Sequence, residues 1–318
     1  MRQMRRMLFC LTLLVSVLCA WKAVRVSAAG EKKQQAAASP HAGAVKPEDI
    51  VGSETCETCH EDVTKKFVEN PHSRLALMHG GKGVTCESCH GPAKEHVEGG
   101  GDVTKIFQFS KASPRVIDKT CLTCHAGAHP NFEHSAHGQG NVDCLSCHSI
   151  HKSVTDEHLL VQAQPKLCYT CHTDAKAAFA QPFHHKVDEG LMSCSDCHDP
   201  HGTFIGTLQK RGTMLHSGPG GNAICTKCHT ETAGPFVYPH PVIPTEGCTS
   251  CHYPHGSPNP RLLTRNNVNS LCLQCHTASM NFTTPGVPSF HNQANQYQAC
   301  TVCHSQIHGS NSDPVFFK

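Results

Sequence analysis

The chain has 318 residues, with 27 Lys and Arg against 25 Asp and Glu and only 6% aromatic side chains. Removing residues 1–28 takes away five basic residues and no acid, leaving 22 basic against 25 acidic side chains, a net charge of −3. That balance excludes a basic nucleic-acid-binding surface. Apolar residues this sparse, interrupted by Gly, Pro, Ser and Thr, also exclude a conventional apolar core for a chain of this length.

Residues 1–28 have the three parts of a secretory signal peptide. Arg2, Arg5 and Arg6 form the positive end, Met7 to Trp21 is a largely apolar run, and Val26-Ser27-Ala28 offers small residues for cleavage. The run is shorter than the roughly 20 residues a membrane span needs. Residues 29–50 are polar and aperiodic and read as a flexible linker, with His41 a solvated side chain within it. Residues 51–318 form the remaining domain.

Cys56-Glu-Thr-Cys59-His60 opens a motif used ten times. The next copies are Cys86, Cys89 and His90; Cys121, Cys124 and His125; Cys144, Cys147 and His148; Cys168, Cys171 and His172. Then come Cys194, Cys197 and His198; Cys225, Cys228 and His229; Cys248, Cys251 and His252; Cys272, Cys275 and His276. Cys300, Cys303 and His304 close the series. Cys-x-x-Cys-His is the signature of c-type haem attachment: two thiols add to the haem vinyl groups and the adjacent His becomes the proximal iron ligand. Zinc sites and disulfides also use paired cysteines, but neither requires a His directly after the second Cys. Of 22 cysteines the motifs use 20, and Cys10 and Cys19 lie in the leader. The cofactors are therefore ten covalently bound c-type haems. Because this haem is attached after export, motifs and leader both point to a periplasm-like space.

Taken in pairs, the motifs form a two-haem block used five times, 65 residues long from Cys56 to Cys121 but 47 from Cys121 to Cys168. Even-numbered motifs carry a further His soon after: His96, His151, His201, His255 and His308. Odd-numbered motifs lead into a segment with Phe and a later His: Phe67 then His72, Phe132 then His137, Phe179 then His184 and His185, Phe236 then His240, Phe290 then His291. Pro165-Lys-Leu-Cys168, Asn222-Ala-Ile-Cys225 and Asn269-Ser-Leu-Cys272 show a further likeness at the entry to odd motifs. The chain holds 27 histidines, so seventeen remain for ten irons after the proximal ones are assigned. The repeat selects His72, His96, His137, His151, His185, His201, His240, His255, His291 and His308 as distal ligands, leaving no open iron position. His79 competes with His72, and His184 with His185. His129, His134, His158 and His216 are left over. Which haem each distal His serves is open, since a donor can come from a neighbouring block.

The predicted fold class is a multihaem cytochrome c: short helices and coil wrapped around an elongated row of ten haems, with little or no sheet. Asp62 to Glu69, Asp118 to Leu122 and Thr173 to Ala180 are the predicted helices.

Cys89-His90-Gly-Pro with His96, Cys147-His148-Ser-Ile-His151, and His184-His185-Lys-Val leading to Cys197-His198-Asp-Pro-His201-Gly carry a resemblance over about residues 52–308. They resemble the decahaem periplasmic cytochromes of the MtrA/DmsE type. The resemblance implies an elongated bis-His haem wire inserted into an outer-membrane β-barrel porin. Its electrons would come from a periplasmic or inner-membrane cytochrome donor and pass to an extracellular multihaem cytochrome or reductase. Lys186 departs from the family, where Pro is expected, and leaves His184 and His185 both open. Two other functions compete: a soluble periplasmic carrier that feeds a reductase, and a multihaem reductase. The latter needs an iron with an open distal position, and all ten motifs end in His.

Overall fold

The computed structural model describes residues 45–78, 84–155, 158–202, 222–276 and 299–317. All belong to one compact unit, Ala38–Lys318. The leader, most of the linker, His41, His79, His216, Phe290 and His291 lie outside the described residues.

Short helices dominate, and the motif itself is their nucleus. Cys, Cys and His at positions i, i+3 and i+4 share one face of a single helical turn. The turn closes by a His N–H to the carbonyl of the first Cys, at 2.8 Å in His60 and 2.9 Å in His148, His172, His198, His229, His276 and His304. In some copies the turn belongs to a regular helix. Cys86–His90 is one of its own, and Cys121, Cys124 and His125 end the helix Pro114–His125. Cys300–Cys303 is another, with His304 as its C-terminal cap.

The helix Pro114–His125 is longer at both ends than the predicted Asp118 to Leu122. Pro114 sits at its first position, where its fixed φ and missing N–H cost nothing, and the motif supplies the final turn. The other two predicted helices occur as Glu61–Phe67 and Thr173–Phe179. Each starts directly after a motif His, with acids in its first turn opposite the helix dipole. Each ends on the Phe of its block.

Sheet is almost absent among the described residues. Two-residue strands β1 (Tyr238–Pro239) and β2 (Gly309–Ser310) pair antiparallel, with Tyr238 opposite Ser310. One block earlier, Phe183 and Ser257 exchange both backbone hydrogen bonds, at 3.2 and 2.8 Å. In both cases a residue two before an odd-segment His (His240, His185) faces a residue two after an even-segment His (His308, His255). The pairing therefore ties the two kinds of distal histidine together, block by block.

Apolar packing is thin. The buried apolar side chains are Ala93, Ile117, Phe132, Leu159, Phe179, Val187 and Ile224. Each contributes about 1.5–3 kcal/mol, against a backbone ordering cost of about 1–2 kcal/mol for every residue. A polypeptide packed this way needs another body to bury its surface against. The expected fold class stands: short helices and coil, with almost no sheet.

Candidate haem centres

All twenty motif cysteines are described, and none is joined in a disulfide. Among the described residues no group of three or more His, Cys, Asp and Glu converges as a metal cage. What converges is histidines, two at a time.

Nine of the ten proximal histidines face one distal candidate each. His60 faces His96 with ring centroids 6.4 Å apart, His90 faces His151 at 6.2 Å, and His125 faces His72 at 5.9 Å. His148 faces His201 at 5.9 Å, His172 faces His137 at 6.0 Å, and His198 faces His255 at 5.7 Å. His229 faces His185 at 6.2 Å, His252 faces His308 at 6.4 Å, and His276 faces His240 at 6.2 Å. Two imidazole nitrogens bound to one metal from opposite sides, each at about 2.0 Å, put the ring centroids about 6.3 Å apart. The pairs thus have the separation that one iron requires. For His198 and His255 the Nε2 atoms point directly at each other, 3.4 Å apart.

The order of pairing is regular. A distal His that follows an odd motif reaches forward to the next odd motif, as His72 to His125, His137 to His172, His185 to His229 and His240 to His276. One that follows an even motif reaches back to the preceding even motif, as His151 to His90, His201 to His148, His255 to His198 and His308 to His252. His96 has no earlier even motif to reach, and turns to His60 instead.

Backbone carbonyls hold these rings by Nδ1 and leave Nε2 for a metal. Among the proximal set, His90 Nδ1–H donates to Phe107 O at 3.1 Å and His252 to Arg261 O at 2.8 Å. His148 and His304 donate likewise to His158 O and Val315 O. On the distal side the acceptor is the carbonyl just before an even-segment His: Pro200 O for His137 at 2.9 Å, Pro254 O for His185 at 2.6 Å, and Ile307 O for His240. His72 follows the same scheme through a relay. Its Nδ1–H donates to Asn70 Oδ1 at 3.0 Å, and Asn70 Nδ2 donates to Ile150 O at 2.8 Å. His96 donates to Asp102 O at 2.9 Å. His151 Nδ1 is buried with no hydrogen-bond partner among the described residues.

Burial, and then the facing proximal His, keeps His72, His151, His240, His255 and His308 below the usual histidine range. His201 falls to about 4 through burial, His129 and His148. These are neutral imidazoles, the form that binds iron. In the first three blocks the Phe packs beside an even-segment ring: Phe67 on His151 at 6.3 Å, Phe132 on His201 at 6.3 Å, and Phe179 on His255 at 5.2 Å.

Of the two competing histidines, only His184 is described. Both nitrogens of His184 are engaged, Nδ1 with Gln181 O at 2.6 Å and Nε2 with Glu189 Oε1 at 3.1 Å. Lys186 joins the same carboxylate at 2.9 Å, a use for lysine where the family pattern has Pro. His129 is nearer the site than the sequence suggests. Its ring stacks 6.3 Å from His125 and lies 4.0 Å from His201. It follows His125 by one turn, its N–H donating to the His125 carbonyl at 3.0 Å.

The cysteines run in an unbroken sequence of neighbours. Within blocks, Cys56 is pushed up to about 11 by burial and by Cys86, and Cys272 likewise by burial and Cys300. Cys144 is raised by Cys121, Cys194 by Cys168, and Cys225 by Cys248. Between blocks, Cys89 is raised to about 11 by burial, Cys121 and Cys124. Burial together with the next block's thiols also raises Cys147 (Cys168, Cys171), Cys197 (Asp196 first, then Cys228) and Cys251 (Cys275). Thiols of successive motifs thus lie near enough to act on one another from the first motif to the tenth.

One cysteine departs from the equivalence that the repeat implies. The second thiol is exposed in every odd motif (Cys59, Cys124, Cys171, Cys228 and Cys275) and half-buried in the even motifs at Cys89, Cys147, Cys197 and Cys251. Cys303 belongs to an even motif by position, yet it is exposed. Cys89, Cys147, Cys197 and Cys251 each feel the thiols of the following motif, whereas Cys303, in the helix Cys300–Cys303, is exposed.

Sequence reasoning missed the side chains that close each block. Three residues before an odd motif, Ser53, Asp118, Asn222 and Asn269 accept the N–H of Cys86, Cys144, Cys248 and Cys300, at 3.4, 3.0, 3.0 and 3.1 Å. The likeness of Asn222-Ala-Ile-Cys225 to Asn269-Ser-Leu-Cys272 is the visible signal. Pro165 fills the position in the third block, where Gln164 Oε1 accepts from Ser195 N at 3.2 Å instead.

A family model described as a doubled CXXCH motif matches residues 134–177, 184–234 and 240–281. Each match takes an even motif with the following odd one, the same array framed across the block boundary. The multihaem cytochrome MtrA of Shewanella baltica (strain OS185) is 31% identical over 280 residues, 82% of this chain and 79% of that protein. On that match, the chain belongs to the MtrA family of multihaem cytochromes, electron-transfer proteins rather than enzymes, with c-type haem attached covalently through the Cys-x-x-Cys-His motifs.

Proposed function

We propose that the protein conducts electrons along ten haems, each held between two histidines, through an outer-membrane β-barrel porin. The carrying observation is the set of nine facing His pairs at the separation one iron requires. The pairs are taken as axial ligand sets, with His291, the candidate left over, assigned to His304 by elimination. When bound, each haem supplies a one-electron couple.

The chain's part follows from its geometry. Two histidines at each site would hold a haem iron from both sides and leave it no position for a substrate. Where backbone carbonyls hold the rings, little would have to reorganise when the charge changes. Neighbouring cysteines bring successive sites together from the first motif to the tenth, and an electron can pass through the protein without a side chain moving.

The porin reading rests on the likeness to MtrA and on a contiguous series of sites longer than a shuttle needs. Among the described residues no helix is long and apolar enough to cross a membrane; in this reading the passage through the bilayer belongs to the partner's barrel. Residues 1–28 would direct export and 29–50 would tether the haem domain. The donor would be a periplasmic or inner-membrane cytochrome, and the acceptor an extracellular multihaem cytochrome or reductase. A soluble periplasmic carrier is the alternative.

Purification from detergent-solubilised membranes separates the two. Co-elution with a β-barrel is expected. Recovery of the protein alone, from the soluble periplasmic fraction, removes the conduit. Haem content and EPR of the purified protein test the sites: ten haems per chain and low-spin ferric signals are expected.

A further inference from the structure

The cap three residues before each odd motif has one job and several chemistries. Ser53, Asp118, Asn222 and Asn269 each accept one N–H from the first Cys of the even motif. Only Asp118 among them is a carboxylic acid, and it is buried, with 3% of its surface exposed. Its Oδ1 lies 3.0 Å from Cys144 N and 3.1 Å from Cys144 Sγ, and the Cys144 and Cys121 side chains are themselves in hydrogen-bonding contact. With haem attached at both thiols, the Asp118 carboxyl would lie beside the attachment points of the third and fourth haems.

We propose that Asp118 sets the potential of the haem pair on Cys121 and Cys144 below that of the equivalent pairs in the fourth and fifth blocks, where the same cap is Asn222 or Asn269.

The reason is electrostatic. Ferric haem carries one more positive charge than ferrous haem, so a nearby carboxylate stabilises the oxidised form and lowers the midpoint potential. Burial removes the solvent and salt that would screen it. Burial, with Asp143 and Glu133, raises the Asp118 carboxyl above the usual carboxylate range, while the Cys144 N–H acts the other way; a ferric haem beside it would also favour the charged form. Asp143 adds a second acid next to Cys144, where the later blocks have Gly247 and Ala299. Its side chain lies nearer solvent and counts for less. An amide at position 118 would keep the hydrogen bond and lose the charge, as Asn222 shows in its own block. The inference rests on the reading of these motifs as haem sites.

The experiment is a spectropotentiometric titration of the full-length, haem-loaded protein and two variants. Asp118→Asn is expected to move the low-potential limb of the curve to higher potential, by an amplitude of about two haems in ten. Asn222→Asp is expected to move a similar share to lower potential. Curves that superimpose on the parent's in both variants overturn the proposal. So does a lowered melting temperature with unchanged potentials, which would make Asp118 a structural cap only. If Asp118→Asn loses haem, Asn222→Asp decides alone: a downward shift supports the proposal and an unchanged curve overturns it. Haem content of the parent below ten per chain would instead count against the ten-haem reading.

Discussion

Asn70 shows how closely a single residue can serve a site it does not touch. Three odd-segment histidines donate directly to a backbone carbonyl, but His72 stands one side chain short of Ile150, and Asn70 fills the gap with its two-ended amide. Asn70 is 5% exposed, so no water stands ready to replace it. Asn70→Ala leaves a buried donor on His72 and a buried acceptor on Ile150, at about 1–3 kcal/mol for an unsatisfied group. Thermal melting of the haem-loaded variant should show a loss of that order. Because Nδ1 hydrogen bonding sets the basicity of the ring on the iron, the midpoint of one haem should shift as well. A lower melting temperature with every potential unchanged would separate His72 from the iron and return the choice to His79.

At the scale of elements, the design is an interlock. The His-Gly that follows three of the even motifs lays its glycine against the Phe-bearing segment of the block before. A Cβ on Gly256 would strike the Ala178 carbonyl, and one on Gly202 would strike Ser135, with φ of +79° there besides. Gly256→Ala should push the Thr173–Phe179 helix end away and draw His255 off His198. A loss of about 1–3 kcal/mol in denaturant unfolding is expected, the usual cost of overpacking. Gly127→Ala, where an added Cβ meets nothing within 4 Å, is the neutral control, and equal effects at both positions would refute the interlock. The motifs, the five blocks and the two kinds of distal histidine are all legible in the chain because fixed spacing leaves a local trace. Where each histidine goes is not. His201 lies three residues after His198, yet its ring faces His148, and no local pattern encodes a partner fifty residues back. The caps are half visible: Asn222 and Asn269 recur in the sequence, but their purpose needs Cys248 and Cys300 brought beside them. The long helix Pro114–His125 outruns its helical pattern because its last turn is also a haem motif.

For the whole molecule, forward and backward reach means that no block is complete. The first block contributes His72 to the third motif and receives His151 for the second. The first block is closed specially, by His96 turning to His60. A chain cut between blocks has no such closure, so every truncation should cost one ligand. Ending at residue 164 leaves four motifs, of which His148 has lost His201. Ending at residue 202 restores that pair and leaves six motifs, of which His198 has lost His255. Covalent attachment through cysteine retains the haems in both fragments, so they can be counted directly. One high-spin iron in about four is expected for the shorter fragment and one in about six for the longer, measured by EPR against haem content. Self-contained blocks, in which each motif finds its second histidine locally, would give fully low-spin fragments of either length. That outcome would refute the interdigitated register while leaving the family assignment untouched.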